Sequence, residues 1–405
     1  MKKYQAKVCI VGGGSGGIGA AIGAAAAGAE VILVEKNHLL GGTVTHAWVH
    51  SWEPVCGSSP LCERLWQRMR RIPMGAMPLD YAQTTCKKNP ITGADNSPLP
   101  FEPWAYQAAV AEEFAAAGSI QVLYDSSFVA AETESRRIKR ICCHNPVETF
   151  TVEADYFIDS TADIYLAREA GCAWSIGAES RAEYDEPHAP EVAEPWTLNG
   201  VNWIYRVHPC GSPVTVDASP IPEASRLEGL SLRSMPNGDI LVNICGWGRL
   251  RFESPSEYSR IMVEQKQFAW DAYRWLVLSG RFPDWVFLGF APQIGIREGY
   301  RLKARYVLNE NDLLAGIGRQ SHQHFVASCD HMVDMHDGVG KVSYELEHPV
   351  GIPLECLMTN EYDNLLVACR GAGFSHLAAA SCRLSRTILT LGEAAGRFAA
   401  GNCSK

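Results

Sequence analysis

A chain of 405 residues with 47% hydrophobic content is long enough for two or three average domains, or for one large cofactor domain with a second domain inserted into it. The formal charge of -9 and the absence of a basic run argue against nucleic acid as a partner. No stretch reaches the ~20 uninterrupted apolar residues that cross a bilayer, and the opening MKKYQAK is too short and polar for a secretory signal; a cytoplasmic protein without a membrane partner is expected.

The first predicted elements form a βαβ unit. Val8 to Glu35 reads VCIVGGGSGGIGAAIGAAAAGAEVILVE: an apolar strand, a glycine-rich turn, an alanine-rich helix and a second apolar strand, Val31 to Val34, that ends on an acid. Gly12, Gly14 and Gly17 fill G-x-G-x-x-G. The first permits the tight turn, the second lets backbone approach a pyrophosphate, and the third lets helix and strand pack closely. Glu35 follows at about the ~20-residue distance that places a carboxylate on an adenosine ribose. Together these point to a dinucleotide; a glycine turn that only packs one βαβ unit is the alternative.

Gly41 and Gly42 form a second close-approach turn, followed by Thr43, Thr45, His46, His50 and Trp52 on what reads as a loop along an extended cofactor. His46 and His50 sit four apart, a spacing that suits a metal pair on a helix. No carboxylate stands in register with them, so no metal is expected and the two remain acid/base candidates.

Pro60 to Arg71 has the spacing of an amphipathic helix, Pro73 to Pro103 reads as a long surface excursion, and Trp104 to Ala117 returns to helix. Gln121 to Tyr124 is a short strand, and Val129 to Cys143 with Glu148 to Val152 alternates like a hairpin. Tyr156 to Ile158 is a strand that breaks into Asp159, Ser160, Thr161, Ala162 and Asp163, a second place where backbone can meet a cofactor.

Glu179 to Pro195 reads as a linker or flap. Beyond it come strand-like runs at Val201 to Val207 and Asp239 to Cys245, then a long helix from Ser256 to Ser279. Trp270 and Trp275 read as core, whereas Trp203 and Trp247 are candidates for a pocket wall. In Ala291 to Gly316 a strand is expected to rise from a turn, with Arg297, Glu298 and Arg301 at its centre. Charges in that apolar setting must pair with each other or meet an anionic ligand. His322, His324, His331 and His336 scatter among Asp330, Asp334 and Asp337 without a metal signature, which suits surface or pocket-rim roles. The chain closes with a buried strand, Asn364 to Ala368, a turn from Arg370 to His376, and a small-residue helix, Leu377 to Ala400. The free N–H groups at the start of that helix would stabilise an anion.

The fourteen cysteines include no C-x-x-C pair, so buried thiols in a reducing compartment are expected rather than a metal cluster.

Four separated segments resemble the FAD-dependent oxidoreductases of the glutathione-reductase-like superfamily. They are VGGGSGG…VEK with LGGT, FIDSTAD, IGIREGYR, and IPLECLMTNEYDNLLVACRGAGFSHLAAASCR with LGEAAG, spanning Val8 to Gly396. The resemblance implies an α/β fold: a Rossmann-type FAD-binding domain, with a central parallel sheet flanked by helices and a β-meander, and an inserted α+β substrate domain. Residues 1–175 and 346–405 would form the FAD-binding domain, and 176–345 the substrate or cap domain. FAD would lie with its pyrophosphate over Gly12, Gly14, Ser15, Gly16 and Gly17 and its ribose at Glu35 and Lys36. Gly41, Gly42, Thr43, Thr161, Asp163, Arg370, Gly371 and Ser375 would complete the cofactor site. His376 and Arg383 match the family's TH…R positions, and Arg297 and Glu298 its GIRE positions. Ala162 and Cys369 stand where family members usually have glycine.

The implied activity is hydride transfer between a polar small molecule of CH–OH or CH–NH type and flavin N5. His376 would be the acid or base, Arg297 and Arg383 would orient the substrate, and His46 and His50 stand second as acid/base groups. A C=C reductase, a monooxygenase, a non-catalytic flavin carrier and a plain NAD-dependent dehydrogenase stay open, as does a homo-oligomer.

Overall fold

The computed structural model describes residues 2–52, 59–77, 99–226, 231–244, 254–336 and 342–401. Strand β1 (Lys2–Val11), helix α1 (Ser15–Ala26) and strand β2 (Val31–Val34) form the opening βαβ unit. Val8 to Val11 and Val31 to Val34 are buried, as strands covered on both faces of a parallel sheet must be.

The main sheet runs in the order Ile120–Leu123, β2, β1, Thr149–Asp159, Arg137–His144, Ser127–Glu134. The long strand Thr149–Asp159 serves two partnerships. Its first half pairs antiparallel with Arg140 to His144 and so carries the β-meander; its second half takes Leu365–Val367 in parallel. Val11 is level with Val34 and Asp159, and Asp159 with Val367. Gly12, Glu35, Ser160 and Ala368 therefore leave the sheet together at its carboxyl edge, where open α/β sheets bind ligands.

A second, four-stranded antiparallel sheet is inserted between these parts, in the order Ser231–Ser234, Ile240–Asn243, Tyr205–Pro209, Trp285–Phe290. It packs on the helix Pro255–Leu278 through Tyr205, Tyr273, Phe287 and Phe290, whose rings meet at tilted and edge-on angles. The whole is mixed α/β with a Rossmann-type core and an added α+β unit, as expected.

Several local expectations need correction. Thr43–His46 is a helical turn, α2, rather than loop, because Thr45 and His46 donate their backbone N–H groups to the Gly42 carbonyl. Only Arg301–Leu302 of the 291–316 stretch is a strand, paired with Trp174–Ser175; Glu310–Ala315 is a helix capped by Asn309. The closing helix is two, His376–Cys382 and Ser385–Gly401. Trp203 belongs to the core of the inserted unit, its indole N–H donating to the Ala291 carbonyl at 2.8 Å. Trp247 and most of the 73–103 excursion lie outside the described residues. Among the described residues no helix is long and apolar enough to cross a membrane.

Candidate active site

The site is built from the carboxyl edge of the main sheet outward. Gly12 has φ +100°, and a Cβ there would come within 2.5 Å of the Ser160 carbonyl oxygen. A Cβ on Gly17 would lie 1.9 Å from the Gly12 carbonyl oxygen, so α1 can start against β1 only with glycine there. Gly14 differs: a Cβ on it would meet no atom within 4 Å. Gly14, Ser15 and Gly16 face a cavity of about 450 Å³, and the first N–H groups of α1 lack helical partners. An open cradle at the middle glycine and unpaired donors beside it are what a pyrophosphate requires.

At the end of β2, the buried Glu35 carboxylate accepts from Gly13 N at 2.6 Å and from Asn37 N and Nδ2, both at 2.8 Å. The second glycine turn closes on the first, with Gly41 N donating to the Gly13 carbonyl at 2.8 Å. Gly42 has φ +53° and would place a Cβ 3.1 Å from Gly14 Cα. Gly42 and Thr43 line the cavity.

The third wall joins the two late segments. Ser160 Oγ donates to the Ala368 carbonyl at 2.9 Å, and Arg370 pairs with Asp163 at 2.8 Å. Ser160, Ala162, Cys369 and Arg370 face the cavity. Burial pushes the Cys369 thiol up to about 12, so it stays protonated. Ala162 has φ +69°, the left-handed region that a side chain disfavours. That conformation accounts for glycine at this position in the resembling family. Ala162→Gly is expected to stabilise the fold by about 1 kcal/mol, read as a raised urea midpoint with an unchanged slope.

The cavity then brings together residues far apart in the chain. Arg297 donates to the Gly200 carbonyl at 2.8 Å, and Arg383 pairs with Asp334 at 2.8 Å. Asp334 also meets His336 Nε2 at 2.7 Å. His331, Asp334, His336, Arg297, Arg383 and His50 all line it. Burial opposes ionisation of Asp334, but the His336 hydrogen bond and the Arg383 charge outweigh it and hold the carboxyl well below its ordinary range. The sequence signals no cluster of His331, Asp334 and His336, because their spacing follows neither helix nor strand.

The cavity wall also takes in the junction between the two closing helices, Arg383 and Leu384, and the first residues of the second, Ser385 and Arg386. The helix start that borders the site is therefore that of Ser385–Gly401, not that of His376–Cys382. His46, the last residue of α2, is buried, with Nε2 3.4 Å from the Leu39 carbonyl, off the cavity wall.

His376 is also off the cavity wall, inside a buried ionic cluster. Its Nδ1 lies 2.9 Å from Glu298, which also binds Arg301 and accepts from Asn199 N at 2.7 Å. Arg301, 1% exposed, reaches Glu179 at 2.6 Å, and Glu179 accepts from His376 N at 2.9 Å. Burial disfavours the charge on His376, but Glu298 overcomes it and the imidazole titrates above its ordinary 6.5. Ser375 caps the His376 helix and donates to Glu186 at 2.5 Å.

His50 and His331 behave oppositely. Burial pushes them down to about 3 and about 4 from 6.5, so both are neutral in the fold. The unfolded chain binds a proton at each below 6.5, while the folded chain does not until its own lower pKa. Their contribution to stability is therefore present above pH 6.5 and is lost as pH falls toward 4, at about 1.4 kcal/mol per pH unit for each residue. Urea unfolding at stepped pH should show this slope, reduced in His331→Asn.

A sequence model described as FAD dependent oxidoreductase matches residues 7–405. The chain belongs to that family. FAD is its cofactor, and the glycine cradle at Gly14 fits the group. No curated protein matches this FAD-dependent oxidoreductase in sequence. Among solved structures it is similar to a geranylgeranyl bacteriochlorophyll reductase-like protein from Thermoplasma acidophilum, at 14% identity, TM-score 0.47, and 98% of this chain over 78% of that one. A myxobacterial chondrochloren halogenase matches at 12% identity and TM-score 0.45, with 75% of this chain over 66% of that chain. A p-nitrophenol 4-monooxygenase from Pseudomonas putida matches at 10% identity and TM-score 0.42, with 76% over 70%.

Proposed function

We propose that this FAD-dependent oxidoreductase oxidises a polar small molecule at a CH–OH or CH–NH centre. In this proposal residues 1–175 and 346–405 make a two-part cofactor domain of the glutathione-reductase-like kind, and 176–345 contribute the substrate side. One observation carries the proposal: one cavity is lined both by the glycine cradle and the second glycine turn and by Arg297, Asp334, His336 and Arg383. When bound, FAD supplies the two-electron acceptor at flavin N5.

The chain's own residues do the rest. Gly12, Gly14, Ser15, Gly16 and Gly17 hold the pyrophosphate; Glu35 and Lys36 hold the ribose. Gly42, Thr43 and Arg370 shape the remaining cofactor wall, with Gly41 tying the second turn to Gly13 and Asp163 holding the Arg370 guanidinium; Thr161 and Gly371 stand behind that wall, and Ser375 lies in the buried cluster beside His376 instead. Arg297 and Arg383 orient the polar substrate, with Asp334 fixing the Arg383 guanidinium and the His336 ring. His376 is a positioning residue in this scheme: through Glu298 and Arg301 it anchors the segment that delivers Arg297 to the cavity.

The test is an anaerobic screen of the purified holoenzyme against carbohydrates, hydroxy acids and amines. Bleaching of the flavin absorbance by one of these classes is the expected result. Bleaching by NAD(P)H alone, followed by oxygen consumption or C=C reduction, assigns the protein to the reductase or monooxygenase reactions instead. If His376→Gln binds FAD normally but removes bleaching without changing the substrate concentration needed for half-maximal rate, His376 acts directly in the chemistry.

A further inference from the structure

Oxidation of a CH–OH or CH–NH centre releases a proton, and His376 lies off the wall where that proton is set free. Among the described residues three histidines line the cavity, His50, His331 and His336. The Nε2 atoms of His50 and His331 are buried without partners, and burial pushes the two rings down to about 3 and about 4. His336 differs, with 28% of its side chain exposed. The other titratable groups of the wall are unsuited to accept a proton. Arginine is already protonated at any working pH, and the Cys369 thiol, pushed up to about 12 by burial, keeps its hydrogen. The Asp334 carboxyl is held far below its ordinary range, with one oxygen on His336 and the other on Arg383.

Asp334 gives the His336 ring the form that a base requires. Its Oδ1 can only accept, so the imidazole Nε2, 2.7 Å away, carries a hydrogen and the neutral ring has its lone pair on Nδ1. The same carboxylate stabilises the imidazolium that forms once Nδ1 takes a proton. Asn199, 2% exposed, fixes the backbone on both sides of the pair. Its Nδ2 donates to the Asp334 carbonyl at 2.8 Å, and its Oδ1 accepts from His336 N at 3.1 Å. The Asn199 N–H donates to Glu298 at 2.7 Å, which ties the pair to the buried ionic cluster. Two cations face it from other segments: Arg383, from the junction of the closing helices, and Arg297, which also attracts Asp334. His331, on the same segment, is neutral. We propose that His336 is the general base of this site: its Nδ1 takes the O–H or N–H proton of the substrate, the carbon's hydrogen leaves with its electron pair to the two-electron acceptor, and a C=O or C=N bond forms. This rests on the oxidation proposed above and supplies the group that takes its proton.

The test uses holoenzyme carrying 15N-labelled histidine, with the compounds of the screen above, lactate, glucose and ethanolamine among them, as reductants. At alkaline pH the His336 resonances, identified by their loss in His336→Gln, should show hydrogen on Nε2 and none on Nδ1. Bleaching of the wild type should slow as pH is lowered through a single ionisation. His336→Gln, with unchanged FAD affinity, should bleach at least about 100-fold more slowly and lose that dependence. Asp334→Asn keeps an acceptor for Nε2 but removes the charge that stabilises the imidazolium, so the ionisation should move to lower pH. A histidine that only shapes the wall would produce neither change. The proposal falls if the neutral ring carries its hydrogen on Nδ1, if His336→Gln retains the pH dependence, or if that dependence vanishes in His376→Gln instead. No bleaching of the wild type by any compound removes the oxidation and this role with it, whereas bleaching that is equally fast in His336→Gln removes this role alone.

Discussion

Gly14→Ala and Gly17→Val are expected to fail in different ways, although both lie in one turn. Gly17 packs against the Gly12 carbonyl, and an added Cβ would sit 1.9 Å from that oxygen. Relief requires moving α1 off the sheet. Gly16, Gly19 and Gly23 of that helix meet the Ala368, Leu389 and Glu393 backbone, and Gly392 and Gly396 of the last helix meet Gly16 and Ala20 in return. None of these contacts can yield by a side-chain rotation. Gly17→Val should therefore give no folded protein, seen as loss of a cooperative thermal transition even in the absence of FAD. Gly14 faces open space and has φ -73°, which alanine tolerates. Its loss as the residue preceding α1 should cost the apoprotein about 1 kcal/mol, while the methyl group occupies the pyrophosphate cradle and weakens FAD binding at least about tenfold. Equal damage to apoprotein stability from both variants would remove the distinction between a packing glycine and a ligand glycine.

Arg301→Met should destabilise the protein by about 3–5 kcal/mol, because it strands the carboxylates of Glu179 and Glu298 in a buried cluster. His376 and the Asn199 N–H then remain to face Glu298, and the His376 N–H to face Glu179. A folded domain is stable by only about 5–15 kcal/mol, so the loss is a large share of the whole. Arg305 provides the comparison: it meets Asp363 at 3.6 Å on the surface, and Arg305→Met should cost no more than about 1 kcal/mol. Chemical unfolding of the two variants side by side decides the matter. Similar midpoints would mean that the buried cluster contributes no more than a surface pair.

Much of the cofactor side was legible in the sequence because its determinants are local. Gly12 and Gly41 occupy positive φ that other residues avoid, and four apolar residues in a row at Val8 and Val31 announce strands covered on both faces. Glu35 stands at the end of such a strand, so its place follows from the strand's length. The departure at Ala162 was also visible, though its meaning required the backbone angle. The break in the closing helix was not legible. No glycine or proline separates Cys382 from Ser385; Arg383 is instead drawn to Asp334, a residue almost fifty positions earlier.

The same division runs through the catalytic candidates. Arg297, Arg383 and His50 were identifiable as individual residues, but their shared cavity arises because the inserted sheet folds back over the carboxyl edge of the main one. His331, Asp334 and His336 joined them with no periodicity to announce it. His376 went the other way, since Glu298 and Arg301 hold it in the interior, off the cavity wall. By itself, then, the sequence determined the FAD-binding frame, whose rules are steric and act within a turn or a strand. Tertiary structure alone decided which polar groups face the cavity, because that choice depends on burial and ion pairing between segments up to hundreds of residues apart.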